Sequence, residues 1–123
     1  MTADTITDVV ADIYQALKPL EAQETVWVSD HVPAPNRFRS PAIVVDYDGF
    51  TITELAYSIP IRCYVKASEP GVAESQQQLG KLVDLVDAQL GAESWVITGA
   101  TAYMADMDVW IADFRVSVPR VLQ

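Results

Sequence analysis

The stretch that decides the fold is residues 57–90, which reads YSIPIRCYVKASEPGVAESQQQLGKLVDLVDAQL. In its first part, apolar and mostly polar side chains alternate. The apolar set is Tyr57, Ile59, Ile61, Cys63 and Val65. Side chains on a strand alternate between its faces, so this pattern predicts a half-buried antiparallel strand. Pro60 has no N–H for a ladder bond, so it should lie on an edge or face away from a neighbouring strand.

The second part of this stretch predicts an amphipathic helix. Glu69-Pro70-Gly71 ends the strand, and the helix is expected over Val72 to Leu90, with a left-handed stop at Gly91. Its apolar residues recur at spacings of three and four, as one stripe of a helix requires. They are Leu79, Leu82, Val83, Val86 and Leu90. Gly80 costs about 1 kcal/mol relative to Ala inside a helix, which we interpret as close packing by another element.

The remaining segments complete a single domain over residues 1–123. A helix is predicted over Thr5 to Lys18, where Pro19 stops it. The predicted strands are Thr25 to Ser29, Ala42 to Asp48, Phe50 to Ala67 with a bulge or kink near residues 54–56, Ser94 to Ala105, and Asp108 to Arg120. The order α-β-β-β-α-β-β predicts an α+β fold, an antiparallel sheet of about four to five strands with two helices packed on one face.

The composition limits the classes of partner. The chain has 17 acidic and 8 basic residues and a formal net charge of -9. Such a chain is unsuited to gripping nucleic acid, which needs a basic patch to displace counterions. We expect no membrane span, because no run of about 18 apolar residues occurs. We expect no signal peptide, because the first residues lack a basic start followed by an apolar core.

No sequence pattern points to a reaction. His31 is the only histidine, so a His/Cys zinc site is unsupported. The chain has neither a Gly-x-Ser-x-Gly nucleophile motif nor a glycine-rich phosphate loop. Cys63 falls on the apolar face of its strand and is expected to be buried. We therefore predict no catalytic, cofactor-binding or metal-binding residues, and a protein that is not an enzyme.

Two groups of acidic residues have simpler interpretations than a site. Asp106, Asp108 and Asp113 cluster near the last hairpin without the spacing of a calcium loop, so we expect turn formers and solvated charges. Asp84 and Asp87 share one face of the second helix, which we interpret as its solvated side.

The segment Asp30 to Pro41 is the candidate contact region. Its three prolines exclude a helix and favour an extended loop of about a dozen residues, which is long for a compact domain. Its candidate contact residues toward a neighbouring subunit or another protein are Val32, Arg37, Phe38 and Arg39. The three tryptophans leave two interpretations open, core filling or anchoring at a subunit interface.

The sequence of elements resembles the phage tail terminator family of the lambda minor tail protein U type. The resemblance covers nearly the whole chain and rests on elements, with no invariant motif. Those elements are the helix Ile6 to Leu17, the strand that opens at Pro41-Ala42-Ile43-Val44-Val45, the long strand Tyr57 to Val65, the helix Glu74 to Leu90, and the closing hairpin.

The resemblance implies a structural virion protein with no catalysis and no cofactor. Members form hexameric rings that cap the tail tube, stop its growth and provide the face to which the head docks. The implied partners are further copies of the chain, the tail tube protein and head-tail connector or neck proteins. The implied location is the head-proximal end of the tail, after assembly in the host cytoplasm. DNA would pass through the lumen without specific binding, and an acidic wall would suit this passage.

Three other classes stay open. A neck or head-completion protein differs from a terminator only in which ring it contacts. A small-molecule-binding or enzymatic α+β domain would need a pocket with convergent polar groups. A bacterial toxin-antitoxin or regulatory partner protein is compatible with the acidic charge.

Overall fold

The computed structural model describes residues 5–23, 26–30, 40–46, 49–66, 72–105 and 109–120. In chain order, the elements are α1 (Ile6–Leu17), α2 (Leu20–Gln23), β1 (Trp27–Ser29), β2 (Ala42–Val45), β3 (Thr51–Ile52), β4 (Ala56–Lys66), α3 (Val72–Gly91), β5 (Val96–Ala105) and β6 (Val109–Pro119). The predicted α+β class is confirmed, with two long helices and the short α2.

The strands form one mixed sheet in the order β1-β2-β4-β6-β5, and β3 also pairs with β4. Within the described ranges the sheet has six strands, more than the four to five predicted. It is also not purely antiparallel, because β1 runs parallel to β2. The side-chain pattern of a three-residue strand does not indicate whether it runs parallel or antiparallel to its neighbour, so the sequence could not predict this parallel pairing.

The predicted strand Phe50 to Ala67 is instead a hairpin of β3 and β4. Thr53 stabilises the reversal, because its Oγ1 accepts hydrogen bonds from the N–H of Leu55 at 3.3 Å and of Ala56 at 3.1 Å. Its own N–H donates to the Ala56 carbonyl at 2.9 Å. The residues expected to form a kink therefore reverse the chain, since a Thr side chain can close a turn in place of a backbone partner.

Both long helices pack on one face of the sheet, as predicted. The main core joins their apolar stripes to the inward side chains of the strands. Its largest fully buried members include Ile13, Leu17, Leu90, Ile59, Ile61 and Phe114. The alternation predicted for the long strand is confirmed, because Tyr57, Ile59, Ile61, Cys63 and Val65 all belong to this core.

The ends of the helices differ in how well the sequence predicted them. At the start of α1, Thr5 Oγ1 accepts from the Asp8 N–H at 3.1 Å, an N-cap. The predicted left-handed stop at Gly91 is wrong, because Ser94 holds the positive φ, at 64°. The Ser94 and Trp95 N–H groups donate to the carbonyls of Gly91 and Leu90, which is a Schellman motif.

Two further positions test local rules. Close packing at Gly80 is wrong, because Gly80 is exposed and a Cβ there would meet nothing within 4 Å. Pro60 lies in a central strand, at the gap where β2 ends at Val45 and β3 begins with the Thr51–Ser58 pair. The Pro60 carbonyl accepts from the Asp46 N–H at 3.0 Å on that side. Its nitrogen lies on the same side of the strand, so Pro60 cannot return the bond to Asp46, and the expectation of an edge position or of a side without a neighbour is wrong.

Candidate assembly surface

An ion-pair network crosses the sheet face that lies opposite the helices, here called the open face. Arg62 on β4 donates from its Nη1 to Asp46 Oδ2 at 3.0 Å and from its Nε to Asp113 Oδ1 at 2.9 Å. Asp46 follows β2 directly and Asp113 lies on β6, opposite Arg62 in the register. One guanidinium thus links three neighbouring strands.

The environment of this network differs between its two acids. The Asp46 side chain is 7% exposed, whereas those of Arg62 and Asp113 are 31% and 33% exposed. Burial acts to lower the pKa of Arg62, but the hydrogen bond and the charge of Asp113 outweigh it and raise that pKa. The expectation that Asp113 is a solvated turn former is wrong, because it lies within a strand and pairs with Arg62.

Arg115 lies beside this network in a shallow depression of about 430 Å³. Its guanidinium donates to Ser58 Oγ at 2.7 Å and to the Gly49 carbonyl at 2.6 Å. Gly99 and Thr101 complete one side of the depression. A guanidinium held by neutral acceptors could bind a carboxylate, but no nucleophile with an adjacent base is present among the lining residues.

Neither a metal site nor a reactive thiol is found in the described part of the chain. Those ranges contain no group of three His, Cys, Asp or Glu residues that could hold a metal ion. Cys63 is buried, as expected, and burial raises the pKa of its thiol. A thiol that stays protonated is a poor nucleophile.

The tryptophans pack against the two apolar clusters of the fold. Trp95 and Trp110 lie partly buried against the main core. Trp27 lies partly buried against a smaller cluster on the open face, of which Tyr64 and Ile111 are buried members. All three therefore fill space beside a core, which favours the core interpretation over interface anchoring.

The large apolar side chains that are exposed within the described ranges gather at one end of the sheet. They are Ile52, Leu55 and Val96, which are 48%, 72% and 59% exposed. Ile52 is on β3, Leu55 is in the β3–β4 turn, and Val96 begins β5. The sequence analysis missed them, because an exposed apolar residue on a short strand fits the same pattern as a buried one.

The turn that presents Leu55 is held by more than Thr53. Arg120 donates from its backbone N–H to the Leu55 carbonyl at 2.9 Å. Its Nη1 donates to the Thr53 carbonyl at 2.8 Å, and its guanidinium lies 5.2 Å from the centre of the Tyr57 ring. The turn that carries Leu55 is thus held by several contacts, and such pre-organisation lowers the ordering cost of a contact.

The predicted contact residues Val32, Arg37, Phe38 and Arg39 lie outside the described residues, as do His31, Asp106 and Asp108. Their role stays a prediction. Asp84 and Asp87 are exposed on α3, in agreement with a solvated helix face.

Comparison of the chain with known proteins found no matching family model and no matching curated protein. Across the ranges that the structure describes, no helix combines the length and apolar character that a membrane span requires.

Proposed function

We propose that this chain is a structural virion protein, a phage tail terminator whose copies form a ring at the end of the tail tube. The resemblance to the tail terminator family implies six copies in that ring. The ring would stop growth of the tube and provide the face on which the filled head docks. In this role the chain acts through its surfaces, without catalysis or a cofactor.

The observation that carries the proposal is the distribution of the exposed apolar side chains. Ile52 and Leu55 belong to one edge of the sheet and Val96 to the opposite edge. A ring subunit needs two different surfaces, because a rotational interface joins unlike patches on neighbouring copies. The sheet covered by both long helices on one face also agrees with the element order on which the resemblance rests.

The charge of the chain supports the same role. Each copy carries a formal net charge of -9, so the total negative charge of a ring increases with the number of copies. Phosphates are repelled by negative surfaces, and DNA could pass such a ring without adhering to it. A ring whose lumen is lined by Lys and Arg would contradict this part of the proposal.

The test combines native mass spectrometry with electron microscopy. Tail tube protein from the same source is polymerised alone and then in the presence of this chain. We expect tubes of bounded length, each with one additional ring at one end, and a mass that corresponds to a closed oligomer. Tubes that grow to the same length with and without the chain would refute the terminator function.

A variant of the Asp30 to Pro41 segment tests the predicted contact region. Arg37→Glu with Arg39→Glu should weaken ring formation or tube capping, because both cations are expected to meet a neighbour. Gln76→Glu with Gln77→Glu adds negative charge at exposed positions of α3 and serves as the control. Equal capping by both variants would exclude this segment from the interface.

The same experiments separate the neck protein and the small-molecule class. A chain that ignores tubes but binds purified connectors would be a neck or head-completion protein. A chain that binds neither would direct attention to the depression at Arg115, with small carboxylates as the first ligands to titrate.

A further inference from the structure

Two strands form opposite edges of the sheet at the end where Leu55 lies. The strand order there is β3-β4-β6-β5, and no described strand pairs with the outer side of β3 or of β5. An unpaired edge exposes backbone N–H and C=O groups to which a further strand can bind.

The edge at β5 has neither of the two side-chain features that prevent such pairing, a charge or a proline, and its irregularity between Thr98 and Thr101 leaves residues 96–98 regular. Residues 96–105 read VITGATAYMA and include neither a charged residue nor a proline, in a chain of which 20% is charged. The other outer strand, β1, has only three residues, and the carboxylate of Glu21 accepts from the Val28 N–H at 3.4 Å. Natural sheets protect edges with charges, prolines and short strands, so β5 is the less protected edge.

The directions of the two edges are compatible with antiparallel pairing between copies. β3 and β6 both run antiparallel to β4, and β5 runs antiparallel to β6, so β3 and β5 point in opposite directions. A second copy in the same orientation would therefore bring its β5 antiparallel to β3. The register of β5 shifts between Thr98 and Thr101, where Gly99 has a φ of 68°.

This shift limits the first regular segment of β5 to residues 96–98. β3 has two residues and pairs directly with β4. At the other end of the sheet β2 pairs with β4, and β1 adds a further strand on the outer side of β2. The space beside β3 therefore suits a short segment, and a bulge bends the strand that follows.

We propose that residues 96–98 of one copy pair with β3 of the next copy, so that the sheet continues from subunit to subunit. The contact covers the backbone of both edges and removes Val96 of one copy and the Leu55 turn of the next from solvent, with Val96 on the open face and Ile52 on the helix-covered face. The occupant is a second copy, because one chain carries both halves of the contact on opposite edges. Closure of these contacts into a ring rests on the proposed function, whereas the edge pairing itself does not.

The first experiment measures association by sedimentation velocity for wild type, Val96→Asp and Leu55→Asp. Both residues are exposed, so both variants should keep the wild-type circular dichroism spectrum and melting temperature. We expect each to weaken association at least about tenfold, because a charge would be placed at a paired edge from which water is excluded. The control Gln77→Asp adds the same charge at an exposed position of α3 and should associate like wild type.

The second experiment mixes the two variants in equal amounts. Val96→Asp keeps an intact β3 edge, and Leu55→Asp keeps an intact β5 edge. A head-to-tail contact therefore predicts a one-to-one dimer of the two variants and nothing larger. If the mixture stays monomeric, if Leu55→Asp alone associates normally, or if wild type stays monomeric up to about 1 mM, the inference is overturned.

Tube capping distinguishes failure of this inference from failure of the proposed function. If both variants still cap tubes with complete rings, the ring uses another contact and the edge pairing is wrong. If wild type forms the predicted head-to-tail contact but ignores tubes, the edge pairing stands and the terminator function is wrong.

Discussion

Removing the charge of Asp46 should destabilise the protein more than removing that of Asp113, although both pair with Arg62. The distances hardly differ, at 3.0 Å and 2.9 Å. What differs is exposure, since Asp46 is 7% exposed and Asp113 is 33% exposed. Water screens the Arg62–Asp113 pair and can hydrogen-bond the group whose partner is lost. At the buried Asp46, water has little access for either role.

The magnitude follows from these environments. Charges about 4 Å apart attract by about 4 kcal/mol at an effective dielectric constant of about 20, before the cost of desolvation. Breaking a buried pair destabilises by about 3–5 kcal/mol, and an exposed pair contributes at most about 1 kcal/mol. Because Arg62 is itself 31% exposed, we expect about 2 kcal/mol for Asp46→Asn and about 0.5 kcal/mol for Asp113→Asn.

Urea unfolding followed by tryptophan fluorescence measures both free energies of unfolding. Each variant is also combined with Arg62→Met, so that a double-mutant cycle isolates the coupling of each pair. Asp84→Asn, on the exposed face of α3, should change stability by less than about 0.5 kcal/mol and serves as the control. An Asp113→Asn variant that loses as much stability as Asp46→Asn would refute the argument from burial.

Three further outcomes follow from single positions. Gly80→Ala should stabilise the protein by about 0.5–1 kcal/mol in urea unfolding, because the position is helical, exposed and free of contacts; a loss of stability would show a contact that the structure lacks. Ser94→Gly should stabilise by up to about 1 kcal/mol, because Ser94 has a φ of 64° in the Schellman motif that follows α3; an unchanged unfolding midpoint would count against strain at this residue. Burial raises the pKa of the Cys63 thiol in the folded state, so ionisation of the unfolded chain should lower the free energy of unfolding as pH rises above the ordinary thiol pKa of 9.0, with a limiting slope of about 1.4 kcal/mol per pH unit. Cys63→Ala should lack this component of the pH dependence, and equal slopes for both proteins between pH 8 and 10 would contradict the argument.

Elements with a strong period were predictable from the residues alone. The alternation from Tyr57 to Val65 assigned the faces of β4 correctly, because a strand has only two faces and burial selects one. The N-cap that Thr5 forms depends on equally local chemistry. In both cases the information lies within a few neighbouring residues.

The features that the sequence analysis missed depend on distant residues or on weak local signals. Arg62 pairs with Asp46 and Asp113 across three strands, and the spacing of these residues along the chain does not predict the two ion pairs. Threonine is common in strands, so the sequence around Thr53 predicted one long strand, whereas its side chain closes the turn of a hairpin. The exposed apolar residues at the sheet edges became visible only once the strand order was known.

The central pairing of β4 with β6 has a consequence for how fast the protein folds. The register joins residues 56–66 to residues 109–119, so all of α3 and β5 lies within the loop that this pairing closes. Contacts between such distant segments slow folding, typically to milliseconds or seconds, because chain entropy is lost before they form. The β5–β6 hairpin is local and can form earlier, so its uncharged strand would be exposed while the sheet is incomplete. Refolding yield should therefore fall as protein concentration rises, since that strand can pair with other chains before the centre of the sheet has closed.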